Sequence, residues 1–355
     1  MTRSSKYRKF VALITFILLS AGVSFFVLHI ASPTVKQTSM RATIHCVDTL
    51  VQDFTCHKRH FQEIAQGLGL RLALEDLKTL YASNPFVYSQ CHQLSHAIGN
   101  VGARTLPDIA DAFALGDPIC WSGYYHGVVE EYITMRGRDI FAKEADTFCA
   151  KIPGKAEYSF DYYNCVHGLG HGVMAITHNQ LFDSLALCDN LSVDWDRRSC
   201  YGGVFMENVM AAERSHYAPF LKPDDLLYPC NAVGMAYKEE CYKMQTSYAL
   251  SQNGRDFRKL FAMCAQVEEG FAHTCAQSIG RDASGQSVSN QERTIATCSL
   301  GENDAQQADC YIGAVKDFVS YFHSDKEARA LCFAIPSRFQ AVCEDALLVQ
   351  WSTIK

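Results

Sequence analysis

The sequence predicts an all-α protein: disulfide-stapled helical-hairpin repeats, as an α-solenoid or alternatively an α/α toroid, after one N-terminal transmembrane helix. Three observations carry that expectation. Cysteines recur at regular spacing, apolar stripes of helical period lie between them, and an uncharged run follows a basic N-terminus.

The N-terminal element comes first. Arg3, Lys6, Arg8 and Lys9 make residues 1–9 a basic tail, and residues 10–31 carry no acidic or basic charge. A helix of about 20 such residues spans a bilayer. Basic residues stay cytoplasmic and leave the rest of the chain outside. A cleavable signal peptide is the rival reading. Its apolar region is usually shorter, and a site after His29-Ile30-Ala31 lacks the small residue such cleavage needs. The expectation is therefore a signal anchor over 10–31, a linker over 32–44, and an exported periplasmic or extracellular domain. The membrane is the first partner expected.

Export suits the sixteen cysteines, an even number in an oxidising compartment. From Cys165 onward long and short intervals alternate: Cys165-x22-Cys188, Cys241-x22-Cys264, Cys275-x22-Cys298 and Cys310-x21-Cys332, with Cys200-x29-Cys230 as a stretched copy. The summed period is about 33 to 35 residues, the range of a stacked helix–turn–helix repeat. Sixteen cysteines do not dictate one connectivity. Pairing across the short gaps joins Cys188 to Cys200, Cys230 to Cys241, Cys264 to Cys275, Cys298 to Cys310 and Cys332 to Cys343. It extends upstream to Cys149 with Cys165 and Cys46 with Cys56, and closes with Cys91 and Cys120. Pairing across the long gaps strands Cys343 and either Cys46 or Cys56. The short-gap scheme is the expectation, each unstrained bridge contributing roughly 2–4 kcal/mol.

Within a long interval the hairpin is legible. Residues 241–250 read as a helix, Ser251-Gln252-Asn253-Gly254 as a turn, and Phe257, Leu260, Phe261 and Cys264 as the i, i+3, i+4, i+7 stripe of a second helix. Asp282-Ala-Ser-Gly-Gln reads as the next unit's turn. The short interval joins one second helix to the next first helix, one cysteine closing the former and the other opening the latter. Its disulfide thus staples neighbouring units. The segments Leu260-Phe-Ala-Met-Cys264 with Cys275, and Ala330-Leu-Cys332 with Cys343, resemble the cysteine-rich secreted members of the Sel1-like branch of the tetratricopeptide superfamily. The resemblance covers residues 149–345, with a longer linking gap and without that family's glycine-rich consensus. It implies a right-handed solenoid used for binding and carries no catalytic residue. The chain divides into histidine-rich N-terminal repeats (45–213), an inserted loop (214–229) read as solvated, and C-terminal repeats (230–350).

The histidines sit on the repeat frame. Cys120-Trp-Ser-Gly-Tyr-Tyr-His126-Gly-Val and Cys165-Val-His-Gly-Leu-Gly-His171-Gly-Val share C-x2-G-x2-H-G-V, and Cys91-His92-Gln-Leu-Ser-His96 is a third variant. Each histidine has a companion four residues away: His92 with His96, His126 with Glu130, His167 with His171. Residues at i and i+4 share a helix face. Five imidazoles and one carboxylate from three adjacent helices would suit a transition metal ion (zinc, iron, copper or manganese). Six ligands exceed one structural zinc, so a dinuclear centre, or one ion beside acid–base residues, fits the count. Gly123, Gly127, Gly168, Gly170 and Gly172 each weaken a helix by about 1 kcal/mol, a cost explained by close helix approach or ligand access. The alternative is a satisfied buried His/Tyr network with no ion. In the next unit Met206 or Glu207 could close the site from the far side. Cys56-His-Lys-Arg-His60 reads as a solvated face, and His178 as surface.

The balance of 48% hydrophobic and 20% charged residues, with a net charge of −6, supports a sizeable core and excludes the basic stripe of a nucleic-acid binder. G-x-S-x-G, H-E-x-x-H, Walker and dinucleotide fingerprints are absent, as are C-x-x-C and C-x-x-C-H. Two functional expectations remain. One is a metal-dependent enzyme with Glu130 as ligand or general base. The other is a non-catalytic extracytoplasmic scaffold binding a protein or peptidoglycan-associated partner on its repeat surface, its histidines structural.

Overall fold

A computed structural model describes residues 52–213, 219–287 and 290–354. The tail, transmembrane segment and linker expected over 1–44 lie outside these residues, as does Cys46 and with it the Cys46–Cys56 pairing. No helix among the described residues is long and apolar enough to cross a membrane.

The regular structure is helical throughout, with sixteen α-helices and no strand among the described residues. A hairpin of α1 (Phe54–Gly67) and α2 (Leu70–Ser83) leads in. Long and short helices then alternate: α3 (Pro85–Thr105), α4 (Ile109–Phe113), α5 (Gly123–Arg136), α6 (Arg138–Glu144), α7 (Phe160–Ile176), α8 (Leu181–Cys188) and α9 (Asp194–Glu213). After the inserted stretch come α10 (Met235–Gln252), α11 (Phe257–Cys264), α12 (Ala272–Gly285), α13 (Gln291–Cys298), α14 (Asp304–Phe322), α15 (Lys326–Ala334) and α16 (Ser337–Ile354). Each long helix packs on the next long one, and the short helices α4, α8, α11, α13 and α15 each pack against both long helices they connect.

Local chemistry sets the boundaries. Asp53, Asn84, Asp108, Ser159, Asp256, Asn290 and Asn303 each cap a helix, the side chain accepting from a backbone N–H of the first turn. Asn84 is followed by Pro85, whose missing N–H costs nothing at that position. The turn expected at 251–254 forms only in its second half, since α10 runs through Gln252 and the chain turns at Asn253 and Gly254, the latter at φ +77°. The turn expected at 282–286 does not form: α12 continues through Gly285, because Asp282 accepts from Thr246 and Ser247 on α10 and is held in the helix. His57 also departs from its solvated reading. It is fully buried, its Nδ1 donating to the Asp53 carbonyl and its ring lying against Phe86. Part of the inserted loop is docked too, since Gln245 donates to the carbonyls of Leu226 and Tyr228 and Leu221 is buried.

Seven cysteine pairs stand at disulfide distance: Cys91–Cys120, Cys149–Cys165, Cys188–Cys200, Cys230–Cys241, Cys264–Cys275, Cys298–Cys310 and Cys332–Cys343. Each is a pair of the short-gap scheme. From Cys188 onward most tie a short helix to the long helix that follows. Two details of the expected frame are corrected. Cys149 does not close a second helix: it sits in the turn after a single 3-10 segment (Ala145–Thr147), and its bridge reaches into α7. The first-helix starts also shift, since α3 and α7 begin at Pro85 and Phe160, ahead of Cys91 and Cys165. The caps Asn84 and Ser159 fix those starts, whereas the cysteines fix only where neighbouring helices touch.

Glycines set the spacing of the long helices. A Cβ on Gly127 would stand 2.2 Å from the His96 carbonyl oxygen, and one on Gly99 2.1 Å from that of Tyr124, so α3 and α5 cross backbone to backbone. The same contact recurs between α7 and α9 at Gly170 and Gly203, and between α12 and α14 at Gly280 and Gly313.

The succession curls back on itself. The Tyr321 hydroxyl donates to that of Tyr81 (2.8 Å), the Trp121 indole N–H donates to Asp317 (3.1 Å), and His323 meets Phe160 edge-on. Trp121 reaches α14 from three consecutive left-handed residues, Cys120, Trp121 and Ser122, with φ of 59°, 52° and 63°. Non-glycine residues are strained there by roughly 1–2 kcal/mol each. Asp317 also accepts from Ser284 and is faced by Arg281 and Asp282 of α12. Burial outweighs these donors and pushes its pKa up to about 6. The folded chain then holds a proton that the unfolded chain releases near pH 4. Stability therefore falls as pH rises from about 4 to about 6, by at most about 3 kcal/mol. Urea midpoints at pH 4.5 and pH 7 are expected to show the wild type losing ground to Asp317→Asn over that interval. A constant gap between the two proteins would exclude this account.

Candidate metal centre

The crossing at Gly127 lays the first turns of α5 on the His92–His96 turns of α3, and α5 packs in turn on α7. Those three helices deliver four imidazoles to one point. His92, His96, His126 and His171 each offer a ring nitrogen, and these four atoms lie within 4.8 Å of one another. Every pair of these rings has centroids between 4.8 and 6.3 Å apart. His96, His126 and His171 are buried and His92 is half-buried.

Hydrogen bonds fix which nitrogen faces inward. His92 Nδ1 donates to the Cys120 carbonyl (2.8 Å), His96 Nδ1 to Glu130 (2.9 Å), and His171 Nδ1 to Glu207 (3.0 Å). In its neutral form each of these rings would carry its lone pair on Nε2. His126 is reversed: its Nε2 donates to the Asn164 side-chain oxygen (3.2 Å), leaving Nδ1 bare. His92 Nε2 and His96 Nε2 face each other at 3.1 Å. His126 Nδ1 and His171 Nε2 are buried with no hydrogen-bond partner among the described residues. Orphaned buried polar atoms cost about 1–3 kcal/mol each. Burial, with the neighbouring imidazoles, holds His92, His126 and His167 well below the ordinary imidazole range, so these rings are neutral near pH 7.

Two of the six residues expected as ligands stand apart from the four. Glu130 lies behind His96, on the nitrogen opposite the one that meets His92, and there it orients the ring. His167 packs its ring 4.8 Å from His126 and 5.4 Å from His171, approaches the Tyr163 hydroxyl with Nδ1, and keeps a buried, unpartnered Nε2. Glu207 does close the site from the far side, through His171. Asn164 escaped sequence reading. It lies just outside the C-x2-G-x2-H-G-V motif, and only the α5–α7 packing brings it to His126. All five glycines of the motif-bearing helices meet a neighbour at under 3.0 Å once a Cβ is added, as close helix approach requires.

The donor set fits a divalent transition ion. Four imidazoles supply nitrogen only, which suits zinc, copper or iron better than manganese. Glu130 and Glu207 behind two of the rings form the carboxylate–histidine pairs that orient metal ligands and raise their basicity. Their two negative charges also balance a doubly charged ion.

The site borders two cavities lined mainly by the long helices. One, of ≈ 460 Å³, includes His92, Met206 and Arg281 in its wall. The other, of ≈ 520 Å³, includes His126, His167, Met206 and Arg281. Compared with protein-family models, curated proteins and solved structures, the chain matches none.

Proposed function

We propose that this chain is a membrane-anchored, exported helical-repeat protein that holds one transition-metal ion on His92, His96, His126 and His171 and uses it as a metal-dependent enzyme. The observation that carries this reading is the convergence of four imidazole nitrogens, from His92, His96, His126 and His171, within 4.8 Å of one another, two of them (His126 Nδ1 and His171 Nε2) buried and unpartnered among the described residues. A single cation there would satisfy all four. An ion in such a site supplies Lewis acidity and lowers the pKa of bound water. The chain's own residues hold the four rings in one tautomer each, shield them from bulk water, and present His126 and His167 to a cavity large enough for a small molecule.

An oxidising location is part of the proposal and is supported by the seven cysteine pairs, while membrane attachment through residues 10–31 rests on the sequence alone. The contacts that bring α14 back to residues 81–160 favour the toroid-like arrangement over an open, Sel1-like solenoid.

Elemental analysis tests the reading. The exported region, produced in an oxidising compartment with metal-supplemented medium, is expected to carry one zinc, copper or iron ion per chain. His96→Ala and His171→Ala are each expected to lose it while staying folded by circular dichroism. A metal-free wild type would instead support the scaffold with structural histidines.

A further inference from the structure

The larger cavity has two chemically distinct walls. One is aromatic: Tyr158 stacks on Trp195 at 4.5 Å, Tyr163 meets Trp195 edge-on, and Trp121 and Phe160 continue the surface. The other is cationic, built from Lys243 on α10, Arg281 on α12 and Lys316 on α14. His126 and His167 lie in the same lining.

The cations differ in how they are balanced. Lys243 is paired to Glu239 (3.1 Å) and Glu240 (2.7 Å), neither of which lines this cavity. Arg281 is paired to its neighbour Asp282, also outside this lining. Lys316 has no carboxylate within 4.0 Å among the described residues, and its ammonium donates only to the Gln277 side-chain oxygen at 3.1 Å. Burial, then the nearby Lys243 charge, holds its pKa below the ordinary lysine range. Asp309 and Glu239 attract it only from beyond ion-pair distance, so this half-buried ammonium facing a second cation is costly without an anion between the two. The carboxylates of the lining do not serve it: Glu157 is exposed, and Asp317 is turned to Trp121 and Ser284.

We infer that this cavity binds a small organic anion, its charged group on Lys316, Lys243 and Arg281 and its ring or apolar body against Tyr158, Tyr163 and Trp195. The site places such a molecule beside His126 and His167 and so defines a substrate class for the proposed centre. Binding itself does not require the ion. The inference can therefore fail while the metal reading stands, or stand while that reading fails.

Tryptophan fluorescence provides the test, since Trp121 and Trp195 both line the cavity. The exported region is chelated, desalted to remove the chelator, and titrated with phenyl phosphate, phenol and inorganic phosphate. Phenyl phosphate is expected to quench saturably and to bind at least tenfold more tightly than either of the others. Lys316→Met is expected to abolish that advantage and Lys316→Arg to retain most of it. Equal binding of phenol removes the cationic wall from the argument, and equal binding of inorganic phosphate removes the aromatic one. Phenyl phosphate binding that appears only after metal is restored, or that survives Lys316→Met unchanged, overturns the inference.

Discussion

Alanine at Gly127 is expected to destabilise the folded chain by up to about 2 kcal/mol and to release any bound ion from whatever remains folded. The added methyl would sit 2.2 Å from the His96 carbonyl oxygen and 2.6 Å from its Cα, both backbone atoms that no rotamer change can move. Overpacking a close-packed interior costs typically 1–3 kcal/mol. The helix-propensity gain of glycine to alanine returns only about 1 kcal/mol, so the clash prevails. Its consequence is specific, because α5 must retreat from α3 and take His126 away from His92 and His96. Gly67 is the control: a Cβ there meets nothing within 4 Å, and the same replacement is expected to be neutral or slightly stabilising. Urea midpoints and metal content of the two variants decide the matter. Equal behaviour of the pair would remove the glycine crossing as the device that assembles the site.

Chelation of the wild type is expected to have a larger effect. An ion bound only by the native state stabilises it by about 4 kcal/mol when its free concentration is a thousandfold above its dissociation constant. For a chain of this length that corresponds to roughly 5 °C or more in the thermal midpoint. The shift should reverse on adding back the ion and should vanish in His171→Ala, whose midpoint chelator leaves unchanged. A wild-type midpoint indifferent to chelator and to added metal would mean that the imidazoles hold one another as a polar network.

Cysteine spacing made the fold class legible because a disulfide links points that are close in both sequence and space. The long interval Cys241-x22-Cys264 holds α10, a turn and α11 with little to spare, and the short interval brings Cys264 to Cys275 on α12. The same spacing misplaced Cys149, because a bridge requires only that two chain points meet and not that either ends a helix. Closure was not legible. It rests on Trp121, Tyr321 and Asp317, residues about 200 positions apart with no shared motif and a strained backbone at Trp121 that no propensity announces. At the site, i, i+4 spacing located the four histidines, but periodicity cannot tell which side of a ring meets its neighbours. Glu130 shares a face with His126 along α5 yet hydrogen-bonds His96 across the helix interface, so cross-helix register overrode the local rule. His57 misled for a related reason: flanking lysine and arginine signalled solvent, while its own face of α1 turned inward onto Phe86.

The Cys120 carbonyl that receives His92 Nδ1–H belongs to a residue joined to Cys91, immediately before that histidine. Thiol oxidation therefore fixes both the ring and the acceptor that selects its tautomer. Under the proposed metal reading, oxidative closure of this loop would have to precede metallation. A chain held among reducing thiols would then have its histidines but not their preorganisation.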